Sequence, residues 1–211
     1  ADLAVPSGYD RIDGRGKFVT PGVIDIHSHL GVYPSPGVKA HSDGNEMTAP
    51  VTANVWAEHS VWPQDPGFAT ALAGGVTSMQ VLPGSANLFG GRSVVLKNVY
   101  ARTMQAMKFP GAPYTLKMAC GENPKRVYGS RQRMPSTRMG NVAVDRQTWA
   151  KAQAYRAKWD RHARGELENA PVARSKDQAE AFIAHMEKEH PEFRELSDAV
   201  NLYSQGLLKK A

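Results

Sequence analysis

The chain has 211 residues, 41% of them hydrophobic, which is enough to bury a core in one domain or in one and a half. No apolar run approaches the roughly 18 residues needed to cross a membrane, and Ala1 does not open a charged and then apolar secretory leader. The single cysteine, Cys120, excludes an internal disulfide. We expect a soluble protein with no membrane partner, either cytoplasmic or, with any leader absent, periplasmic or secreted.

The formal charge of +6 is unevenly distributed along the chain. Residues 92–164 hold sixteen Lys and Arg but three Asp and Glu, whereas acids outnumber bases by nine to four over residues 165–198. Such asymmetry can indicate nucleic-acid binding, a solvated basic face, or a surface that meets an acidic partner segment. We do not expect a nucleic-acid partner, because no recognised binding module accompanies the charge.

The first third of the chain predicts extended pieces, one buried strand and a long loop. Residues 1–20 have the pattern of short extended segments punctuated by turns. Residues 23–26 are a compact apolar stretch, typical of a strand in a buried parallel sheet. The polar stretch from His29 to Trp62 is too long for a simple connection, and it predicts a functional loop that carries short helical turns.

The middle of the chain alternates between helical and extended patterns. Residues 68–73 predict a short helix that ends at Gly74 and Gly75. Extended segments follow at residues 76–82, 93–96 and 115–119, and they are apolar rather than alternating. Apolar strands separated by helical or loop segments predict an α/β fold with a parallel sheet.

The last part of the chain is predominantly helical in pattern. Asp145 can cap a helix, and a second helix is predicted from Asp177 to a break at Pro191. The stripe of the first helix consists of Trp149, Ala152, Arg156 and Trp159. The one strand pattern after Ala119 is the short stretch of residues 142–144.

Two histidines leave the first predicted strand as a His-x-His pair. Because side chains two residues apart on a strand point to the same face, His27 and His29 can converge on one point. Imidazole is the commonest metal ligand in proteins, and such a pair offers two of the three or four ligands of a catalytic zinc. The pattern therefore favours metal-assisted hydrolysis as the first functional hypothesis.

Three stretches of the chain carry a resemblance to a known family. Residues 16–29 (GKFVTPGVIDIHSH) resemble the entry to the barrel of the amidohydrolase superfamily. Residues 73–77 (AGGVT) and 121–125 (GENPK) resemble the imidazolonepropionase-like branch of its metal-dependent hydrolases. The resemblance runs from about residue 10 to about residue 174. The PGxIDxHxH string is specific, and GENP adds to it.

The resemblance implies an α/β architecture that is the N-terminal part of a (β/α)8 TIM-type barrel. Residues 1–20 would be the end of a small β-sandwich domain that precedes the barrel. Residues 21–140 would be a partial metal-dependent hydrolase barrel. Residues 141–211 would be a helical C-terminal tail, of which residues 175–211 are unlike the family.

The resemblance also implies a divalent metal, usually zinc and present as one or two ions, bound by His27 and His29 at the C-terminal mouth of the barrel. A bridging ligand, either a carboxylate or a carbamylated lysine, would come from a middle strand, and the candidates are Lys117 and Glu122. Alternatively, Lys117 is a snorkelling side chain and Glu122 is a loop carboxylate that caps backbone amides. Arg92 can bind an anionic substrate group, or it is an arginine in a surface loop.

The chain departs from the family pattern after Glu122. Family members have two further histidines, from the fifth and sixth strands, and an aspartate from the eighth that acts as general base. No later histidine or aspartate of this chain follows an apolar strand; these residues are His162, His185, His190, Asp145, Asp160, Asp177 and Asp198. The catalytic residues are therefore unknown at this point.

Three explanations fit this departure. The chain can be a truncated or frameshifted piece of a longer enzyme, or a subunit whose partner supplies the rest of the barrel. It can also be a self-contained protein whose helices seal the sheet. A half barrel leaves an open sheet edge, which predicts self-association or a partner that completes the barrel.

The function that the resemblance implies is hydrolysis of a carbon–nitrogen bond by metal-activated water. The substrate would be a small-molecule amide or an amino-acid-derived compound, either non-peptide or dipeptide. Whether the chain alone is an enzyme stays open, because the later ligands and the base are not visible in it. The alternative is a non-catalytic metal-binding or partner-binding scaffold protein derived from an amidohydrolase.

Overall fold

The computed structural model describes residues 4–167 of a chain that divides into two compact units, Ala1–Thr148 and Trp149–Ala211. The fold is mixed α/β, as its class was predicted to be. The strands are β1 (Val23–Ser28), β2 (Val76–Val81), β3 (Phe89–Arg92), β4 (Val94–Lys97) and β5 (Leu116–Met118). The helices are α1 (Pro66–Ala73), α2 (Met104–Met107), α3 (Glu122–Gly129) and α4 (Arg138–Ala163), with 3-10 turns at Lys39–His41 and Ala57–His59.

The strands form two small sheets in the first unit. β1 pairs parallel with β2, and β2 pairs antiparallel with β4, so the order is β1-β2-β4. β3 and β5 form a separate antiparallel pair. The prediction of a parallel sheet is therefore confirmed for β1 and β2 and is wrong for β4 and β5. The connection from β2 to β4 contains no crossover helix, and a parallel return normally needs one.

The hydrophobic core lies on β2 and β4 and the segments packed against them. Val81 and Leu96 are 0% exposed, and each is packed among apolar neighbours in one cluster. Burying a side chain of this size contributes roughly 1.5–3 kcal/mol. The buried members of the cluster are Val32, Ala57, Val61, Phe68, Met79, Val81, Val94, Leu96, Met104 and Met107.

β1 is less buried than its composition predicts. The side chains of Val23, Ile24 and Ile26 are 54%, 68% and 74% exposed. Within residues 4–167, β2 is the one strand that pairs with β1, so the other edge of β1 has no strand against it. The prediction of a buried strand is therefore wrong for the described part of the chain, because only one neighbour covers β1.

α1 begins with a capped turn two residues before its predicted start. Asp65 is the N-cap, and its side chain accepts a hydrogen bond from the backbone N–H of Gly67. Pro66 occupies the first helical position, where its missing N–H costs nothing. The helix ends at Ala73, and Gly75 follows with a φ of +89°, a conformation that favours glycine.

The long segment between β1 and α1 contains two 3-10 turns, which confirms the predicted loop with short helical turns. Hydrogen bonds join this segment to the chain that follows β2. The backbone N–H of Thr52 donates to the carbonyl of Phe89 at 2.8 Å, and that of Gly84 donates to the carbonyl of Gly44 at 2.8 Å. The loops after β1 and β2 are thus fastened to each other.

α4 replaces the strand predicted at residues 142–144, which lie inside this helix. Its start is capped by the Thr137 hydroxyl, which accepts from the backbone N–H of Gly140 at 3.0 Å. In the second unit the helix ends at Ala163, where Gly165 has a φ of +75° and the N–H of Glu166 reaches the carbonyl of Arg161 at 3.0 Å. The helix predicted from Asp177 lies outside the described residues.

Residues 4–22 contain turns but no assigned strand or helix. The β-sandwich remnant over residues 1–20 therefore stays a prediction, as do the domain boundaries. No helix within the described part of the chain is both long and apolar enough to cross a membrane.

Candidate functional site

The His-x-His pair lies at the carboxyl end of β1. His27 is within the strand and His29 follows its last residue, Ser28. The ring centroids of the two histidines are 5.1 Å apart, with the rings nearly perpendicular at 88°. The structure thus brings together the two imidazoles that the strand pattern places on one face.

The main chain fixes the orientation of the His29 ring. Its Nδ1 lies 2.8 Å from the carbonyl oxygen of Leu82, the residue after β2. Because a carbonyl can only accept, Nδ1 carries the proton of this bond and Nε2 keeps its lone pair. Metal-binding histidines commonly use one ring nitrogen in this way and bind the metal with the other.

Lys117 lies beside His27, on strand β5. Its residue surface is only 7% exposed, and its Nζ is 3.2 Å from Nε2 of His27. The register of β3 and β5 pairs Lys117 with Gly91, and a Cβ added to the neighbouring Gly90 would lie 3.5 Å from Cγ of Lys117. The Nζ of Lys117 on β5 therefore faces the Nε2 of His27 on β1, and each nitrogen has a lone pair in its neutral form.

Burial and like charge lower two pKa values in this group. Burial lowers the pKa of the Lys117 amine below its usual value. The positive charge of Lys117 is the main cause that lowers the pKa of His27, with desolvation and His29 adding to it and Asp25 opposing it. A neutral imidazole can bind a metal, and a neutral amine can react with carbon dioxide.

Glu122 stands apart from this group. It opens α3, its side chain is 82% exposed, and its carboxylate is 3.8 Å from the Arg126 guanidinium. Within residues 4–167, no three His, Cys, Asp or Glu side chains come close enough together to hold a metal ion. The structure therefore does not gather Glu122 with His27 and His29, and its role as a ligand stays a prediction.

Arg92 is the last residue of β3 rather than part of a flexible loop. Gly90 and Gly91, which precede it, are buried strand residues, and a Cβ on Gly91 would lie 2.8 Å from the carbonyl oxygen of Val55. The Arg92 guanidinium lies 4.4 Å above the centre of the Trp56 ring. Its role in substrate binding stays a prediction.

The donor set fits part of a zinc site. Two imidazoles converge, Nε2 of His29 is left free by the bond of Nδ1 to Leu82, and the third group is a buried lysine. Imidazole nitrogen is a preferred zinc ligand, whereas a protonated amine is not. Lys117 would therefore contribute as a neutral amine or, after reaction with carbon dioxide, as a carbamate.

A cavity of about 570 Å³ is lined by the loop that follows β1, by Pro83 after β2 and by Gly90 of β3. Its wall includes Val32, three residues after His29, and Pro83, which follows Leu82. It also includes Gly90, where an added Cβ would lie 3.5 Å from Cγ of Lys117. The polar side chains that line it are Ser42, Asp43, Asn45, Glu46, Asn54, Trp56, His59 and Ser60. The lining does not include His27, His29 or Lys117.

Sequence reasoning missed three groups in and around this site, of which the first two carry no sequence signal. The Leu82 carbonyl is main chain, which no residue type announces. Tyr33 packs on His29 with ring centroids 5.6 Å apart, but it lies in the long loop, where no periodicity points to it. Asp65 carries a usable signal, because an Asp-Pro pair before an apolar run marks a helix start.

Comparisons with known proteins agree on one family name. No protein-family model matches the chain. Amidohydrolase tasK from Hapsidospora irregularis is 38% identical over 157 residues, which cover 70% of this chain and 16% of that protein. The crystal structure of an amidohydrolase from Thermotoga maritima MSB8 is 41% identical with a TM-score of 0.74, covering 82% of this chain and 44% of that one.

The chain therefore spans less than half the length of either relative. Both relatives carry the name of a hydrolase, and neither favours the non-catalytic scaffold alternative. The matches bear out the resemblance to amidohydrolases. We conclude that this chain is amidohydrolase-like, over a segment that corresponds to part of each longer relative.

Proposed function

We propose that the chain carries part of the active site of a metal-dependent amidohydrolase, which hydrolyses a carbon–nitrogen bond in a small amide or amino-acid-derived substrate. The observation that carries this proposal is the grouping of His27, His29 and Lys117, with 5.1 Å between the two imidazole centroids and 3.2 Å from the Lys117 amine to Nε2 of His27. The amidohydrolase names of both relatives support it.

The same proposal extends to the architecture. Residues 21–140 would form the first part of a (β/α)8 barrel, preceded by the end of a β-sandwich. The TM-score of 0.74 to an amidohydrolase supports this interpretation, as does the location of the histidine pair where a parallel strand ends. The covered share of that structure, 44%, leaves room for further strands.

A bound metal would supply part of the chemistry, and residues of this chain would hold the metal. One or two divalent ions, zinc by preference, would supply Lewis acidity and an activated water near neutral pH. His29 would present Nε2, because Nδ1 is committed to the Leu82 carbonyl. His27 would present Nε2, which already faces Lys117 at 3.2 Å.

Lys117 would act in its neutral form. Its amine would form a bond to the carbon of carbon dioxide and release one proton, which leaves a carbamate whose single negative charge is shared by two oxygens. The low exposure of the side chain and its lowered pKa support this step, since the nitrogen lone pair must be free. Arg92 lies against Trp56, which is part of the cavity wall. Its guanidinium would pair with an anionic substrate group.

A complete site needs further ligands and a general base. We propose that additional barrel strands supply them, either from the rest of a longer chain or from a partner chain that lies against the exposed edge of β1. Val23, Ile24 and Ile26 supply the apolar surface that such strands would cover.

Zinc affinity tests the metal site directly. We expect His27→Ala and His29→Ala each to weaken zinc binding by at least about tenfold, measured by competition with a chromogenic chelator. His162→Ala is a matched control, because the Nδ1 of His162 also lies 3.0 Å from a main-chain carbonyl, that of Leu167. Zinc binding by the double variant that equals the wild type would exclude the metal site.

Two further measurements test the Lys117 carbamate and the hydrolysis reaction separately. Removal of bicarbonate from the buffer should weaken zinc binding by the wild type but not by Lys117→Ala if a carbamate contributes. A hydrolysis screen with N-acyl amino acids, dipeptides and cyclic ureides tests the reaction. Activity that persists without both histidines would contradict the mechanism.

A further inference from the structure

Tyr33 contacts the candidate ligand His29 in two ways. Its ring meets the imidazole edge-on, with centroids 5.6 Å apart and an interplanar angle of 87°. Its backbone N–H donates to the carbonyl of His29 at 3.0 Å, which closes the turn after β1. The imidazole is therefore bordered by His27, by the Leu82 carbonyl and by the Tyr33 ring.

Tyr33 is itself held in one position. Its hydroxyl accepts a hydrogen bond from the side-chain amide of Asn45. The Asn45 carbonyl oxygen in turn accepts from the backbone N–H of Ala86 at 3.1 Å. A Cβ added to Gly44 would overlap the Tyr33 ring, and one added to Gly84 would overlap the Tyr33 hydroxyl and the Asn45 amide. Two loops therefore close around this side chain and leave it no room to move toward either glycine.

We infer that Tyr33 is a positioning residue that restricts rotation of the His29 ring and so keeps its Nε2 directed into the candidate metal site. This inference rests on the proposed function, since it assigns a supporting residue to a proposed ligand. A single hydrogen bond to Leu82 leaves the ring free to tilt about that bond. The perpendicular contact with Tyr33 removes this freedom, because the tyrosine ring fills the space into which the imidazole would tilt.

The first experiment measures zinc affinity with chelator competition. Tyr33→Ala should weaken binding by at least about tenfold, whereas Tyr33→Phe should stay within about twofold, because the ring and not the hydroxyl borders His29. Tyr33→Leu, which keeps apolar volume without the flat ring, should lose zinc affinity to the same extent as Tyr33→Ala. Tyr100→Ala is the matched control, since Tyr100 is 85% exposed and lies after β4. Wild-type affinity in both Tyr33→Ala and Tyr33→Leu would overturn the inference.

The second experiment needs no metal. In protein with 15N-labelled histidine, the His29 ring should show one tautomer, with the proton on Nδ1, in the wild type and Tyr33→Phe. Tyr33→Leu should give exchange-broadened or mixed tautomer signals. A single sharp tautomer in Tyr33→Leu would overturn the inference even if zinc binds. Failure of zinc binding in the wild type with the expected tautomer pattern would instead refute the proposed metal site alone.

Discussion

At the scale of single residues, the buried carboxylate of Asp65 holds the loop that follows the histidine pair. Its side chain accepts from the backbone N–H groups of Gly31 at 2.8 Å, Gly67 at 2.9 Å and Ser35 at 3.2 Å. The residue is 3% exposed. Two of these donors belong to the loop after β1 and one to the first turn of α1, so the carboxylate fixes both at once.

We expect Asp65→Asn to lower the free energy of unfolding by about 2 kcal/mol, because an amide nitrogen replaces an oxygen that must accept. Urea denaturation followed by circular dichroism measures the change. Asp13→Asn is the control: Asp13 is paired with Arg15 at the surface, with 61% of its side chain exposed, and its loss should change stability little. Equal stability of Asp65→Asn and the wild type would contradict this role.

The sequence predicts the residues of the site better than their partners. His27 and His29 follow from strand geometry, because a period of two needs no tertiary information. Lys117 is predicted only as one of two possibilities, since an apolar strand does not reveal which residue lies opposite. Its location beside His27 depends on packing of β5, and the sequence pattern holds no information on that.

At the scale of elements, a charged and aromatic cluster joins the second 3-10 turn to the chain after α2. The Glu58 carboxylate is 2.7 Å from the Lys108 amine and accepts from the Tyr114 hydroxyl at 2.8 Å. The Glu58 side chain is only 10% exposed. Tyr114 also packs edge-on against Trp56, so this cluster fixes part of the cavity wall.

This cluster predicts a pH dependence of stability. Burial alone would raise the pKa of Glu58, but hydrogen bonds from Lys108 and Tyr114 hold the pKa below its ordinary value of 4.5. A carboxyl with a depressed pKa stabilises the fold above its unfolded pKa and loses this contribution as the pH falls through the folded value. We therefore expect the free energy of unfolding to fall from about pH 5 toward pH 3, and Glu58→Gln to flatten this decline.

Urea unfolding at a series of pH values measures this profile. Glu122→Gln is the matched control, because the Glu122 side chain is 82% exposed and its ion pair at 3.8 Å is loose. The pKa of Lys108 is raised above 10.5 by the same bond, so its own contribution is lost only in alkali. Superimposable acid profiles for Glu58→Gln and the wild type would show that the cluster does not contribute.

Local sequence patterns predict a strand or helix correctly where the residues of that segment determine its secondary structure. The strands around residues 76–82 and 93–96 are confirmed as β2 and β4, because runs of branched apolar residues need a buried pleated surface. Residues 142–144 mislead for the same reason. Their two valines favour a strand, yet the Thr137 cap and the helix formers around them place them in α4.

At the scale of the whole molecule, the most consequential feature is the edge of β1 that no strand within residues 4–167 covers. A strand edge presents unpaired N–H and C=O groups, and here the exposed residues beside it are apolar. The sequence predicts this open edge through the resemblance to a barrel entry. It does not predict the antiparallel return of β4, because strand direction depends on the connection and not on strand composition.

We expect the wild type to self-associate as its concentration rises, and Ile26→Lys to shift it toward the monomer in sedimentation velocity experiments. A lysine on an edge strand opposes pairing because its charge must stay solvated. Ile12→Lys is the control, since Ile12 is 89% exposed but lies outside the strands. A monomeric wild type, or an equal effect of both substitutions, would contradict a role for β1.

The bond between His29 and the Leu82 carbonyl has a consequence for mutational tolerance. The acceptor is part of the peptide backbone, so replacement of the Leu82 side chain leaves the oxygen in place. A saturation library at position 82 should therefore retain orientation of His29 in every variant that keeps the path of β2. Variation at position 82 thus leaves unchanged the atom that accepts the bond from His29.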